Sequence, residues 1–258
     1  MAPPIALVTG SNRGVGRELV ASLLGRGVTK VYAAARNTDT LASIVASDPE
    51  RVVAVRLDLQ DEGSIAAAAS IARDVRLLIN NAATLTTGSA IDCDRDDLVN
   101  MLMTNSIGTV DVIRAFTPIL EANGGGTIIN VMSLQSFSGS NGWDGYSASK
   151  AALQSFTQSL RPALKGRGIA IVGAYPGGVD TEMIKDFDTL KSSPGAVAEG
   201  ILNGLARGQE DIFPDGVSQF VADIWFSDPK EMERLFAMPE RLVPMLEQAK
   251  ADGRIQLS

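Results

Sequence analysis

Residues 6–20 of the chain read ALVTGSNRGVGRELV, in which a short apolar run leads through a turn into a helical pattern. The turn carries Gly10, Gly14 and Gly16 with the spacing G-x-x-x-G-x-G. Glycines at a strand-to-helix turn let the backbone approach a ligand closely, and the first N–H groups of the helix then point at an anion. A dinucleotide pyrophosphate binds at such a turn in open α/β sheets. The spacing alone also fits an ordinary tight connection, but its position after the first strand favours a nucleotide site.

The rest of the chain alternates short apolar runs with longer helical patterns. Predicted strands occupy residues 5–9, 30–35, 52–57, 77–79, 127–131 and 169–174, and a further short run lies at 211–213. Predicted helices occupy residues 15–24, 64–73, 96–120 and 146–164. Continuous apolar runs suit strands buried on both faces of a parallel sheet, and the alternation indicates repeated βαβ units. We therefore expect an α/β fold, a Rossmann-type doubly wound parallel sheet of about seven strands with helices on both faces.

No linker or internal repeat divides the chain, so a single domain over residues 1–258 is predicted, with its core at about 5–213. Residues 176–193 mix turn residues with scattered apolar side chains. Such a segment is either a flap over a site or an ordinary surface loop, and the pattern fits both. Beyond it, residues 216–258 carry a helical pattern interrupted by Met and Pro, which predicts a helical C-terminal extension.

Composition removes several classes of chemistry, because the 258 residues include no histidine and a single cysteine, Cys93. An intramolecular disulfide, a Cys/His zinc site and a histidine-based triad are excluded, and no metal site is predicted. The net charge of -7 argues against nucleic acid or an anionic membrane as a partner. No apolar stretch is long enough to span a bilayer and no signal-peptide pattern is found, so a cytoplasmic location is expected.

The end of the second predicted strand is where a dinucleotide site selects its cofactor. An acid there binds a ribose 2′-hydroxyl, whereas a basic residue accommodates a 2′-phosphate. Here the strand is followed by Arg36, the next acid is Asp39, and Arg13 lies inside the glycine turn. Two guanidinium groups near one phosphate would make charge-assisted contacts. We expect NADP(H) rather than NAD(H), the alternative being that both arginines are ordinary surface residues.

Candidate proton-transfer residues come from three predicted elements. Tyr146 and Lys150 lie four residues apart on a predicted helix, so their side chains share one face. A free tyrosine has a pKa of about 10, and a neighbouring ammonium group favours the phenolate. Ser133 follows a predicted strand, and Asn105 lies on the apolar stripe of a long helix, where its amide has to be hydrogen-bonded. Each residue alone has an ordinary structural interpretation, and the combination favours a catalytic group.

These motifs together resemble a known family. TGSNRGVG at 9–16, Asn80-Asn81-Ala82, Asn105, Ser133, Tyr146-x-x-x-Lys150 and Pro176-Gly177 follow the order and spacing of the short-chain dehydrogenases/reductases. The chain resembles the compact single-domain branch of that family from residue 5 to about residue 213. Ala83 stands where the family usually has glycine, which is a small departure.

The resemblance implies a role for each matched residue. Tyr146 would be the catalytic acid/base, and Lys150 would lower its pKa and bind the nicotinamide ribose. Ser133 would bind the substrate oxygen, and Asn105 would hold a water that links Lys150 to solvent. Asp58 resembles the adenine contact. The full set of implied cofactor-binding residues is Gly10, Asn12, Arg13, Gly14, Val15, Gly16, Arg36, Asp58, Leu59, Asn81, Ala82, Tyr146, Lys150, Pro176, Gly177, Val179 and Thr181.

The resemblance also implies an activity, an NADPH-dependent carbonyl reductase or alcohol dehydrogenase that acts on a small-molecule ketone, aldehyde or secondary alcohol. Apolar and aromatic residues near the catalytic group would form the substrate pocket, although core packing explains any single one equally well: Leu134, Gln135, Phe137, Trp143, Tyr175 and Phe187. The alternative is a non-catalytic NADP(H)-binding sensor or scaffold of the same fold. The helices at 96–120 and 146–164 resemble the family's dimer interface, so a homodimer is expected, with a homotetramer as the alternative.

Overall fold

A parallel seven-stranded sheet forms the centre of the molecule in the computed structural model, which describes residues 4–257. Residues 1–3 and 258, which the single-domain prediction includes, lie outside the described residues. The strand order is β3-β2-β1-β4-β5-β6-β7, which confirms the predicted doubly wound sheet. The strands are β1 Ala6–Thr9, β2 Val31–Ala35, β3 Val52–Arg56, β4 Leu77–Asn80, β5 Gly126–Val131, β6 Ile169–Ala174 and β7 Asp211–Ile212.

Ten α-helices are assigned within residues 4–257. They are α1 Gly14–Gly25, α2 Ala42–Ser47, α3 Glu62–Ile71, α4 Arg95–Leu102, α5 Gly108–Ala122, α6 Asp144–Lys165, α7 Pro194–Ala206, α8 Gly216–Ser227, α9 Pro229–Ala237 and α10 Pro239–Ala251. Helices cover both faces of the sheet, because one core cluster contains Val20 and Ile201 and the other contains Phe116 and Leu164. Burial on both faces accounts for the mostly apolar sequences of β1, β2 and β4, which are buried along their whole length.

The single helix predicted at 96–120 is instead two helices joined by a π-helical turn, Met103–Ile107. Such turns insert an extra residue into a helix and are frequent at functional sites. Asn105 lies in this turn. The first residue of α5, Gly108, has to be glycine, because a Cβ there would lie 2.1 Å from the carbonyl oxygen of Leu59. The start of α5, directly after the π-helical turn, therefore lies in close contact with the loop that follows β3.

Residues 216–257 form a helical unit that we call the C-terminal cap, and they confirm the predicted helical extension. The apolar core of the cap includes Val221, Met232, Phe236 and Leu246, and it is shared with Leu134 and Leu190 from outside the cap. Proline at the first position of α9 and of α10 produces the two breaks between its helices. No helix within residues 4–257 is long and apolar enough to cross a membrane.

Candidate active site

The principal cavity lies at the carboxyl ends of the strands and has a volume of about 600 Å³. Open α/β sheets bind their ligands at this edge. The residues that line the cavity extend from the glycine turn after β1, past Tyr146, to the flap at residues 176–193 and the C-terminal cap. We call the two ends the nucleotide end and the cap end.

The glycine turn at the nucleotide end depends on backbone that only glycine adopts readily. Gly10 has φ +66° and Gly14 has φ +54°, and both line the cavity. Asn81 holds the turn, because its Nδ2 donates to the Thr9 carbonyl at 2.9 Å and to the Gly10 carbonyl at 3.3 Å. Gly16, which the resemblance includes among the cofactor-binding residues, is buried beneath the turn and does not line the cavity, so its contact with a cofactor stays a prediction. A Cβ there would lie 2.2 Å from the Gly10 carbonyl oxygen, so Gly16 lets α1 approach β1.

The other residues predicted to bind the cofactor are brought together at this cavity. Its lining includes Gly10, Asn12, Arg13, Gly14, Val15, Arg36, Asp58, Leu59, Asn81, Ala82, Tyr146, Lys150, Pro176, Gly177, Val179 and Thr181. Arg13 and Arg36 are exposed there, and within residues 4–257 neither forms an ion pair. Asp39 does not line the cavity. Positive-φ glycines and two exposed guanidinium groups suit an anionic dinucleotide, although Arg13 also acts on the Glu182 carboxylate of the flap, whose pKa it helps to lower.

Tyr146 and Lys150 lie side by side on α6, both buried, and both line the cavity with Ser133. The Lys150 Nζ is 5.7 Å from the centre of the Tyr146 ring and donates a hydrogen bond to the Val131 carbonyl at 2.9 Å. Burial lowers the pKa of Lys150 to about 8, because desolvation disfavours its charged form. An ammonium group has three N–H donors, so two remain beyond the Val131 carbonyl for a ligand.

The pKa of Tyr146 moves in the direction opposite to the expected one. Burial raises it to about 12, and the Ser133 hydroxyl offsets only part of that rise. The expectation that Lys150 would lower this pKa is not met in the chain by itself, because desolvation of the phenolate outweighs every other influence. Tyr146 is therefore a protonated phenol at neutral pH, ready to donate.

Asn105 is fully buried and hydrogen-bonded, as predicted, but it does not line the cavity. Its Oδ1 accepts from the Thr84 amide at 2.8 Å, and its Nδ2 donates to the Thr84 carbonyl at 2.8 Å and to the Ser149 hydroxyl at 2.9 Å. These contacts tie the π-helical turn to the loop after β4 and to α6. Both amide hydrogens are used within the protein, so the water-holding role stays a prediction.

The residues predicted for the substrate pocket divide into two groups, and their contact with a substrate stays a prediction. Leu134, Gln135, Trp143 and Phe187 line the cavity, whereas Phe137 and Tyr175 do not. The rings of Phe137 and Tyr175 pack together with a centroid distance of 4.7 Å. Tyr175 is fully buried, and its hydroxyl contacts the Asp211 carboxylate at 3.1 Å. These two aromatic residues therefore belong to the core that joins the sheet to the C-terminal cap.

Sequence reasoning missed most of the cap end. The lining there includes residues of the flap, α8, α9, α10 and the break between α9 and α10: Met183, Ile184, Val217, Val221, Phe236, Pro239, Leu242, Val243 and Leu246. The helical pattern of the tail was visible in the sequence. Its placement was not, because helical periodicity indicates an apolar face but not what that face covers.

Comparisons with known proteins cover most of the chain. The family model described as short chain dehydrogenase matches residues 4–191. An uncharacterized oxidoreductase of Staphylococcus aureus (strain MRSA252) is 30% identical over 211 residues, which are 79% of this chain and 91% of the relative. A short chain dehydrogenase from Burkholderia cenocepacia J2315, solved in complex with NADP, is 32% identical with a TM-score of 0.85 and covers 90% of this chain and 97% of its own.

A short chain dehydrogenase/reductase from Burkholderia phymatum, solved in complex with NAD, shares the fold at 21% identity and a TM-score of 0.77, over 87% of this chain and 93% of its own. The match to the family model ends at residue 191, before α7 and the C-terminal cap. The Burkholderia cenocepacia structure covers 90% of this chain, so the structural similarity extends beyond the residues that the family model matches.

Proposed function

The chain belongs to the short-chain dehydrogenase family of oxidoreductases, and on that premise we propose that it is an NADP(H)-dependent carbonyl reductase. It would convert a ketone or aldehyde to the alcohol, reversibly. The observation that carries this proposal is the buried pair Tyr146 and Lys150 on a cavity that also contains Ser133 and the glycine turn. A protein that only binds a nucleotide has no need of a buried phenol beside that cavity.

The nicotinamide cofactor, when bound, supplies the hydride for reduction or accepts it for oxidation. The glycine turn and the start of α1 would hold its pyrophosphate. Arg13 and Arg36 would contact a 2′-phosphate, and the absence of Asp39 from the cavity lining supports NADP(H). The two N–H donors of Lys150 that the Val131 carbonyl leaves free would bind the nicotinamide ribose.

Proton transfer falls to the chain's own residues. Tyr146, held protonated by burial, would donate its hydroxyl proton to the carbonyl oxygen of the substrate as negative charge develops there. Ser133 would donate a hydrogen bond to the same oxygen and so stabilise that charge. The Lys150 ammonium would then lie beside the phenolate that is left. Burial raises the pKa of Tyr146 to about 12, so the phenol is protonated near neutral pH, which is the form that the reduction of a carbonyl group requires.

The test is NADPH oxidation followed at 340 nm with a panel of aryl and aliphatic ketones. Tyr146→Phe should lower kcat by about 10³-fold while leaving the Kd for NADPH unchanged, since it removes one proton donor and little volume. Wild-type turnover in this variant would refute the acid role of Tyr146. A higher kcat/KM with NADH than with NADPH would overturn the cofactor assignment. Tight NADPH binding with no turnover of any ketone would instead favour a non-catalytic sensor.

We also propose a homodimer through α4, α5 and α6. Exposed apolar side chains lie at helical spacing on α4 and the π-helical turn: Val99, Leu102, Met103 and Ile107. Scattered apolar residues are normal on a surface, but a continuous stripe indicates an interface. Leu102→Asp should give a monomer in light scattering, whereas Ile91→Asp, at an exposed site outside the stripe, should not. A wild-type monomer would contradict the proposal, and a tetrameric mass would show a second interface.

A further inference from the structure

Beyond Tyr146 the cavity becomes predominantly apolar. The flap contributes Met183, Ile184 and Phe187, α8 contributes Val217 and Val221, and α9 and α10 contribute Phe236, Leu242, Val243 and Leu246. The Phe187 ring packs on Trp143 with a centroid distance of 4.7 Å, and Trp143 meets the Tyr146 ring edge-on at 6.0 Å. These rings extend the apolar surface from the proton donor to the flap, and Leu134, which also lines the cavity, packs in one cluster with Val217 and Phe236 of the C-terminal cap.

The amide of Gln135, which lines the cavity, is already hydrogen-bonded within the protein. Gln135 accepts from the Ser147 hydroxyl at 2.8 Å through Oε1 and donates to the Ser140 hydroxyl at 2.9 Å through Nε2. Its amide is held in place as part of the wall. The hydroxyls of Ser133 and Tyr146 consequently form the polar contact point for a substrate oxygen, with hydrocarbon surface beyond it.

Charge at the cap end disfavours an anionic substrate. The cationic side chains that line the described cavity are Arg13, Arg36 and Lys150, and both arginines belong to the nucleotide end. At the flap the charged lining residues are the acids Glu182 and Asp188, both exposed. The Glu182 carboxylate forms a salt bridge with the Lys185 ammonium group at 2.6 Å, so Lys185 is not free to bind a substrate anion. A carboxylate or phosphate on the far part of a substrate would meet acids and hydrocarbon.

We propose that the flap and the C-terminal cap together form a binding site for an apolar arm of the substrate. The substrate class is then an uncharged ketone that carries a long or bulky hydrocarbon substituent. This inference rests on the proposed carbonyl reductase function and specifies its substrate. Burying one methylene group in an apolar pocket is worth roughly a fourfold gain in binding, so a longer arm should raise kcat/KM until the site is full.

Helix α10 offers a matched pair of variants. Val243 is partly exposed, lines the cavity and is not part of the apolar core of the cap. Met245 is also partly exposed, and it neither lines the cavity nor joins that core. Residues two apart on a helix point to nearly opposite sides, so the same substitution at the two positions separates the site from the helix itself.

The experiment measures kcat/KM with NADPH for straight-chain methyl ketones of increasing length, and by calorimetry the affinity of the same ketones for the NADP⁺-loaded protein, in which no hydride is available for reduction. The wild type should gain about two- to fourfold per methylene. Val243→Asn should reduce kcat/KM for the longest ketones about tenfold and for the shortest less than twofold, and Met245→Asn should match the wild type. Val243→Phe, which keeps the surface apolar but fills space, should move the optimum to shorter ketones.

A flat length dependence in the wild type, or equal behaviour of Val243→Asn and Met245→Asn, would overturn the apolar-arm site while leaving the reductase function intact. If longer ketones bound more tightly but no ketone was reduced, the apolar-arm site would be supported and the proposed reductase function would be refuted. Preference for ketones bearing a carboxylate would contradict the charge argument directly.

Discussion

The two ends of the cavity are built in different ways. The nucleotide end is mostly backbone: two positive-φ glycines, the ends of parallel strands and the first turn of α1, held by the Asn81 amide. The cap end is mostly side chains, supplied by the flap and by helices that follow the sheet in the chain. A backbone site leaves a local signature in the sequence, whereas a site made of side chains from several segments exists only once those segments pack. The local backbone geometry therefore restricts which residues can occupy the nucleotide end, whereas the cap end is restricted only by how its side chains pack.

Lys150 lies where the two ends meet, and its replacement should have the largest effect. Lys150→Met should lower kcat by about 10²- to 10³-fold, because it removes the cation beside the Tyr146 phenolate. The same variant should be about 1 to 2 kcal/mol more stable at pH 7. Burial lowers the pKa from 10.5 to about 8, which costs roughly 3 kcal/mol while the amine is charged, and loss of the hydrogen bond to the Val131 carbonyl offsets part of the gain.

The pH dependence distinguishes this explanation from simple repacking. Between about pH 8 and 10.5 the unfolded chain holds a proton on Lys150 that the folded chain has lost, so wild-type stability should rise with pH in that window. The stability gap to Lys150→Met should narrow over the same range. Chemical denaturation at pH 7, 8.5 and 10 measures it, and a gap that does not change with pH would contradict the buried-charge account.

The parts of the nucleotide end that consist of local backbone could be predicted from the sequence. The spacing of Gly10 and Gly14 and the alternation of apolar runs indicated the sheet and its ligand edge. The burial of Gly16 beneath the turn could not be predicted, because a sequence does not show which side of a turn a glycine faces. The packing of Phe137 against Tyr175 outside the cavity lining could not be predicted for a related reason, since an aromatic residue next to a site and one beneath it have the same local pattern. The pKa of Tyr146 could not be anticipated, because desolvation depends on everything packed around it.

The backbone account of the nucleotide end predicts a second, smaller effect at Gly16. Gly16→Ala would place a Cβ 2.2 Å from the Gly10 carbonyl oxygen and 2.5 Å from the Asn81 Nδ2, so the turn has to move. NADPH affinity should fall about 100-fold, corresponding to about 3 kcal/mol. At saturating NADPH the dependence on ketone length should be retained, because the cap end is untouched.

Gly25→Ala is the control for that experiment, since a Cβ at the other end of the same helix meets nothing within 4 Å. Fluorescence titration with NADPH should show no change for this variant. If Gly16→Ala bound NADPH as tightly as the wild type, the nucleotide end would not depend on the close approach of α1 to β1.

The smallest effect is expected where the cap is attached. Asp215 is buried at the start of α8, its Oδ1 accepts from the Ser218 amide at 2.8 Å, and its Oδ2 accepts from the Gly177 amide at 3.0 Å. One carboxylate therefore caps a helix of the cap and holds the first residues of the flap. Asp215→Asn puts an NH₂ group against one of these N–H donors, so it should cost about 1 kcal/mol of stability.

The link reaches the cofactor site through Gly177 alone, whereas it holds the whole of α8, so Asp215→Asn should raise KM for a long-chain ketone about threefold to fivefold and the Kd for NADPH less than about twofold. Asp223→Asn, at an exposed position on the same helix, is the matched control and should change neither. Steady-state kinetics and NADPH titration on the three proteins measure both quantities. Equal increases in the KM for the ketone and in the Kd for NADPH would mean that the Asp215 carboxylate supports both ends of the cavity. That result would contradict the proposed difference between a backbone end and a side-chain end.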